Sequence, residues 1–409
     1  STIWIAMGMF GSIPFVMGAK MSWADALFEA FSGLTTTGAT ILTDIEGRLS
    51  APLHMWRMAT HWLGGLGIVV LFVALMPGWG VGGKRLFQSE AAGPQTSGIS
   101  PRIRDTAKTL LLIYCSITVA LICALWAADM PLFDAVTHAF STIATGGFSL
   151  KNGSIGEYNN LAIELTVLVG MLLAGTNFEL FHRFKSEGRA VFWASREFRV
   201  YVYLVAGATV LISFDMLVNA THGVGDALRY SSFQVVAIMT GTGFGTADYE
   251  QWSTLSRSLL LMLYFCGGMA GSTTGGMKLI RIMIILKVVL HEIRLGFRPT
   301  LVAPIRVGES PVAEEIVRGT LAYALIFMGT VLVGALFVAA LDPVDMTTAL
   351  MASLACVANV GPGLGAVGPT ENYGFFSDAS KMVLSFCMLL GRLEFFSLLS
   401  LFVPAFWRR

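Results

Sequence analysis

Charge is what this chain has least of. Only 13% of its 409 residues are Asp, Glu, Lys or Arg, against 55% hydrophobic, and the mean hydropathy is +0.70. A soluble domain carries about 25% charged residues, so a water-soluble fold is excluded and a polytopic membrane protein is indicated. The five cysteines (Cys115, Cys123, Cys266, Cys356, Cys387) lie in or beside apolar runs with no CxxC pair, which excludes a disulfide framework and reads as small buried apolar residues. No HExxH motif and no nucleophile–base constellation occurs, so an intramembrane enzyme is disfavoured. The run GSTTGGMK lacks the phosphate-binding G-x-x-x-x-G-K pattern, because Met277 follows Gly276 and Lys278 comes one place late. The chain begins at Ser1 inside an apolar segment, without Met or a signal-peptide pattern, so residues upstream are expected.

What is present is a repeat. FSGLTTTGATI (Phe31 to Ile41) has three relatives: FSTIATGGFSL (Phe140 to Leu150), AIMTGTGFGTA (Ala237 to Ala247) and ACVANVGPGLG (Ala355 to Gly365). Aligning Asp25 with Asp134 puts Phe31 on Phe140, Ser32 on Ser141 and Gly38 on Gly147 without a gap, so Gly147 rather than Gly146 is the counterpart. The equivalent glycines are Gly38, Gly147, Gly243 and Gly361, spaced 109, 96 and 118 residues apart. That period is a multi-segment module, far longer than a solenoid repeat.

Each module reads as helix, half-helix, loop, helix. In the first, residues 1–18 end a crossing, 23–34 form a segment too short for the ~20 residues a crossing needs, and 52–77 cross again. The second uses 108–128, 131–144 and 160–181. The third uses 199–219, 226–240 and an interrupted helix from Ser253, and the fourth 319–341, 345–358 and 379–403. The expected fold is an all-α polytopic membrane protein with four tandem units arranged pseudo-fourfold around a central ion pore. The units span 1–83, 84–182, 183–306 and 307–409. Basic residues concentrate between units, with five in 84–108 (Lys84, Arg85, Arg102, Arg104, Lys108), five in 183–199 and seven in 278–318. The positive-inside rule makes these connections and the Arg408-Arg409 tail cytoplasmic, and the TTTGAT-type runs open outside.

Non-helical backbone at membrane depth is tolerated only where it lines a protein-enclosed or water-filled cavity. Four such segments around one axis can turn carbonyl oxygens inward to replace the hydration shell of a monovalent cation, and a glycine in each permits the backbone this requires. Neutral Thr, Ser and Asn neighbours suit a K+-like ion rather than a divalent one. The half-helix C-termini would add partial negative charge at the centre. The candidate cation-binding residues are Thr36, Thr37, Gly38, Thr145, Gly146, Gly147, Thr242, Gly243, Asn359, Val360 and Gly361.

The motifs TTTGAT, STIATGGFS, MTGTGFGTAD and ANVGPGLG, with GGMAGSTTGGMK (Gly267 to Lys278) and LGRLEFF (Leu390 to Phe396), resemble the Trk/Ktr/HKT superfamily of potassium transporters, closest to the bacterial Trk-type membrane subunit. The resemblance covers essentially the whole chain. It implies four helix–pore–helix units, K+ as the transported ion with no bound organic cofactor, and a bacterial inner-membrane location in contact with lipid. It also implies a homodimer and a cytosolic nucleotide-binding (NAD or ATP) regulatory ring, with no nucleic-acid partner. That subunit type carries extra N-terminal helices before the first unit, which fits the expectation of residues upstream of Ser1. Some plant members carry Ser at the first-loop glycine and prefer Na+; Gly38 favours K+.

Gly267 to Lys278 holds five glycines, two threonines and a serine where the middle of a crossing belongs, a poor helix and a good irregular loop. It falls on the cytoplasmic side of the repeats and could obstruct a pore. The resemblance makes it the gating loop, with Gly267, Gly268, Gly271, Ser272, Thr273, Thr274, Gly275, Gly276 and Lys278 as gate residues. Arg392, within the last crossing, is costly and so functional by default; Glu394, two residues on, faces elsewhere. By resemblance Arg392 projects toward the pore as an electrostatic barrier; a salt bridge to another helix is the alternative. Asn359 is expected to brace the loops, while Asn177 and Glu179 suit helix-packing hydrogen bonds. His54 and His61, seven apart, lack a third metal ligand. The leading reading is K+ uptake through a gated, channel-like pore. The alternative is a carrier coupling K+ to H+ or Na+ by alternating access, disfavoured because only the third unit has an obviously broken second helix.

Overall fold

The structure, a computed structural model, describes residues 2–75, 101–298, 304–308 and 310–400. Lys84, Arg85 and the Arg408-Arg409 tail, used above for orientation, lie outside the described residues, as does the 83/84 unit boundary.

Four units follow one another. Each opens with a long outer helix: Thr2–Ala19, Pro101–Ala127, Arg196–Val218 and Glu314–Leu341. All four contain stretches long and apolar enough to cross a membrane. Their outward faces carry bare apolar side chains such as Phe10, Leu112, Phe214 and Leu325, as lipid contact requires. A half-helix follows: Trp23–Leu34, Leu132–Ile143, Val224–Met239 and Met346–Ala358. At 1.5 Å per residue the 12-residue members extend only ~18 Å. Ser22 caps the first through Asp25 N–H and Asp345 caps the fourth through Thr347 and Thr348 N–H. Most of each half-helix is buried.

The inner helices correct the sequence reading. The first is continuous, Ala51–Leu75. The second, expected over 160–181, is two helices, Leu161–Ala174 and Phe178–Glu187, meeting at 88°. Gly175 ends the first piece, and Asn177 accepts the Glu179 N–H at 2.8 Å to cap the next. The third breaks as expected, into Thr254–Leu263 and Leu279–Phe297. The fourth, expected over 379–403, stops at Arg392 and resumes as Phe396–Leu399, with Glu394 and Phe395 both at positive φ. Three inner helices of four are therefore interrupted, not one. A two-residue antiparallel ladder, Arg306–Val307 with Ser310–Pro311, lies between the third and fourth units.

Candidate functional site

All four half-helices end in the same way. One residue at the end takes a left-handed conformation, just after the cap at Thr36 (φ +53°), Thr145 (+52°) and Gly241 (+67°) and at the cap itself at Asn359 (+54°). The next N–H then reaches back to the last turn, Thr37 to Ser32 O at 2.9 Å, Gly146 to Ser141 O at 2.9 Å, Thr242 to Ala237 O at 2.8 Å and Val360 to Ala355 O at 3.0 Å. This is the Schellman end of a helix, used four times. Two threonines in the left-handed region are costly, about 1–3 kcal/mol each, so the surroundings hold them there.

One residue further the chain turns again, at Gly38 (φ +80°), Gly147 (+86°), Gly243 (+73°) and Gly361 (+89°). A Cβ on Gly38 would sit 2.1 Å from the Gly146 carbonyl oxygen, on Gly147 1.9 Å from Thr242 O, on Gly243 2.0 Å from Val360 O, and on Gly361 2.6 Å from Thr37 O. Each glycine is pressed against the carbonyl that precedes the next unit's glycine, and the fourth returns to the first. The four strands form a closed ring that only glycine permits. Around it Thr35, Thr36, Thr37, Thr240, Thr242 and Asn359 are fully buried, and four half-helix C-termini converge on it with their partial negative charge.

Beneath the ring lies the segment from Gly267 to Lys278. Its hydroxyl at Thr273 donates to Ile143 O (3.0 Å) at the second half-helix end and contacts Ala174 O (3.2 Å). Met269 N–H meets Gly175 O, and Gly271 O receives Phe178 N–H, both at 3.0 Å. The bend of the second inner helix thus docks the loop of the third. A Cβ on Gly275 would strike the Asn359 side chain at 2.5 Å, and one on Gly276 the Ala358 carbonyl at 2.9 Å. Two buried cations grip the loop from below: Lys278 donates to the Ser272 (3.4 Å) and Thr274 carbonyls, and Arg392 to the Thr273 carbonyl at 2.6 Å and to Gly64 O at 3.3 Å. Three successive loop carbonyls are thus each held by one of two basic side chains beneath the ring.

Residues 1–409 match the family profile described as TrkH, cation transport protein. The chain is 39% identical to the Trk system potassium uptake protein TrkH of Halomonas elongata over 414 residues (99% of this chain, 84% of that protein) and 38% identical to TrkH of Escherichia coli K12 over 417 residues, with the same coverage. The crystal structure of the potassium transporter TrkH from Vibrio parahaemolyticus superposes with a TM-score of 0.91 at 36% identity, covering 99% of this chain and 84% of that one. The chain belongs to the TrkH family of cation transport proteins. The family is one of multi-pass membrane transporters rather than enzymes.

Of the expected residues, Gly38, Gly147, Gly243 and Gly361 meet in the ring, and Thr273, Gly275 and Gly276 of the loop lie against half-helix ends. Asn359 behaves as a brace, donating from its amide to Thr37 Oγ1 (2.9 Å) and Met388 O (3.0 Å). Arg392 has no carboxylate partner among the described residues and bonds carbonyls instead; Glu394 pairs with Arg281 from the third unit. His61 meets Ser141 Oγ at 3.1 Å and stacks on Phe148, and no cluster of three metal-type ligands occurs among the described residues.

The sequence reading missed the buried ion pairs. Arg57 Nε donates to Glu29 at 2.6 Å, both buried, while Arg57 also bonds Ser149 O and lies 3.4 Å over the Phe148 ring, tying the first unit to the second. Glu164 forms a bidentate pair with Arg229 across the second and third units, and Lys381 joins Asp25 across the fourth and first. Neither partner spacing nor local pattern marks such long-range pairs; an acidic residue inside a half-helix, as at Glu29, is the one usable signal.

Proposed function

We propose that this protein takes up K+ across the bacterial inner membrane through a selective, gated, channel-like pore. The observation that carries the reading is the cyclic closure of the four glycines, which sets four equivalent segments around one axis. K+ is the transported substrate. Thr36, Thr37, Gly38, Thr145, Gly146, Gly147, Thr242, Gly243, Asn359, Val360 and Gly361 form the selectivity filter, their carbonyls taking the place of hydration water. Gly267 to Lys278 with Arg392 form the gate. The loop occupies the plane below the ring, and its two cations oppose a passing cation. The relatives named as Trk system uptake proteins support K+ as the ion. The unit limits 1–83, 84–182, 183–306 and 307–409 belong to the same proposal. So do filter mouths facing outward, basic connections facing the cytoplasm, a homodimeric assembly and a cytosolic nucleotide-binding ring as partner.

The three interrupted inner helices favour keeping a second reading, a carrier coupling K+ to H+ or Na+, because broken helices are what such carriers use. Flux of Rb+ as a K+ tracer into liposomes, at fixed voltage with and without a proton gradient, separates the two. Downhill flux indifferent to the gradient is expected; uphill flux driven by protons would replace the pore with a carrier.

A further inference from the structure

The strand leaving each ring glycine must be held in place, and the four units do not hold it alike. Nine residues before its glycine, each half-helix presents a fully buried side chain: Glu29, His138, Gln234 and Ala352. Three of them reach their own unit's outgoing strand. Glu29 accepts from Thr40 Oγ1 (3.0 Å) and Ile41 N–H (3.2 Å), His138 Nε2 bonds Ser149 Oγ (3.0 Å), and Gln234 donates to Ala247 O (3.4 Å). Ala352 has no polar atom to offer.

In the fourth unit three buried tyrosines stand in. Tyr373 donates to Gly361 O at 2.7 Å, Tyr264 to Pro362 O at 2.6 Å and Tyr249 to Gly363 O at 2.9 Å. Three consecutive carbonyls are each fixed by a phenol. Two of the donors come from the third unit. The last straddles the seam with the first, because the Tyr373 N–H also bonds Thr40 O at 2.8 Å. An oriented Gly361 carbonyl fixes the peptide plane on one side of a glycine that itself abuts Thr37 O, so the hydroxyl sets the ring's closing contact.

We propose that Tyr373, Tyr264 and Tyr249 are positioning residues for ion selectivity, supplying from the neighbouring seams the strand brace that the fourth half-helix lacks. The proposal rests on the ring being the filter. A carbonyl freed from its donor can rotate, and a ring of less defined radius discriminates less between ions of different size. The hydroxyl alone is at stake, since Phe preserves the ring packing of Tyr373 against Phe28 and Phe376.

The test is K+-tracer and Na+ uptake into liposomes by the whole protein and by Tyr373→Phe, Tyr264→Phe and the double variant, with the thermal unfolding of each in detergent. Ser213→Ala, which removes a buried hydroxyl bonded to Ser231 Oγ and Ala227 O near the start of the third half-helix, is the control. The expected result is a K+/Na+ flux ratio lowered about fivefold by Tyr373→Phe, the worth of one buried hydrogen bond, and lowered further in the double variant, while the control keeps the wild-type ratio. A general loss of stability would lower both fluxes together and leave the ratio alone. An unchanged ratio in folded Tyr373→Phe overturns the proposal, and should that variant fail to assemble, an unchanged ratio in Tyr264→Phe does so. A wild-type protein that does not discriminate would instead sink the filter reading itself.

Discussion

Around the ring the four units repeat one another closely: the same Schellman end, the same second turn at φ +73° to +89°, the same glycine seated on a neighbour's carbonyl. One level below, the inner helices diverge. The first is continuous, the second bends by 88°, the third unwinds over Gly267 to Lys278, and the fourth stops after Arg392. On the proposed reading the difference has a reason: a filter that presents equal ligands to one ion from four sides is bound to symmetry, whereas a gate needs a single insert, and an insert fills space that its three neighbours have to leave. Gly175 and Phe178 in the second unit, Gly64 in the first and Arg392 in the fourth each make a different contact with the loop or its anchor.

The comparison breaks most severely if one quarter of the ring loses its support. Glu29→Ala leaves Arg57 buried and unpaired, and is expected to cost about 3–5 kcal/mol of stability, read as a lowered unfolding temperature in detergent. Gly38→Ser attacks the symmetry directly, placing a Cβ 2.1 Å from Gly146 O at a φ of +80°. It is expected to reduce K+ over Na+ discrimination in flux assays by about tenfold, equal to ~1.4 kcal/mol, and unchanged selectivity would count against the ring as filter. Changes below the ring should alter throughput rather than choice. Shortening the loop between Gly268 and Gly276, or Arg392→Ala, is expected to raise Rb+ flux several-fold while the ion preference stays put; flux no higher than wild type would remove the gate assignment.

The smallest effect belongs to the outer surface, where Lys151 bonds Glu46 at 2.7 Å. That hydrogen bond holds the Glu46 carboxyl below its ordinary value of 4.5. Its stabilisation is present above that value and is lost as the pH falls through the lowered one. Partial exposure limits it, so Glu46→Gln should cost less than about 1 kcal/mol and leave both flux and selectivity unchanged.

The symmetric level was the legible one. A gapless alignment of Asp25 on Asp134 was enough to choose Gly147 over Gly146, and it is Gly147 that carries the positive φ. Half-helix lengths were readable because a polar run cut each apolar segment short. The asymmetric level was legible only where glycine broke the pattern outright, at Gly267 to Lys278. At Gly175-Thr176-Asn177 a helix end and a new cap were written in the sequence but hidden inside a continuous apolar stretch. At Leu393 to Phe395 there was nothing local to read: Leu, Glu and Phe are ordinary helix residues. Glu394 pairs with Arg281, Phe395 packs edge-on against Tyr323 and Phe327, and both turn out of helical geometry. The tyrosine brace was invisible for the same reason, since its three members come from two units.

The ring's closing contact also has a meaning in time. Asn359 and Thr37, joined by a side-chain hydrogen bond, are separated by 322 positions in the chain. Gly361 meets Thr37 only after three complete units have been made and inserted. A chain emerging from the ribosome therefore holds one strand, then two, then three, arranged as an open arc with a free side, and contains no enclosed path through its centre. The passage comes into being in a single late step. On the reading proposed above, in which the ring is the filter and the loop of the third unit the gate, a membrane being supplied with this protein is exposed to a finished pore already underlaid by that loop, and never to a partial one.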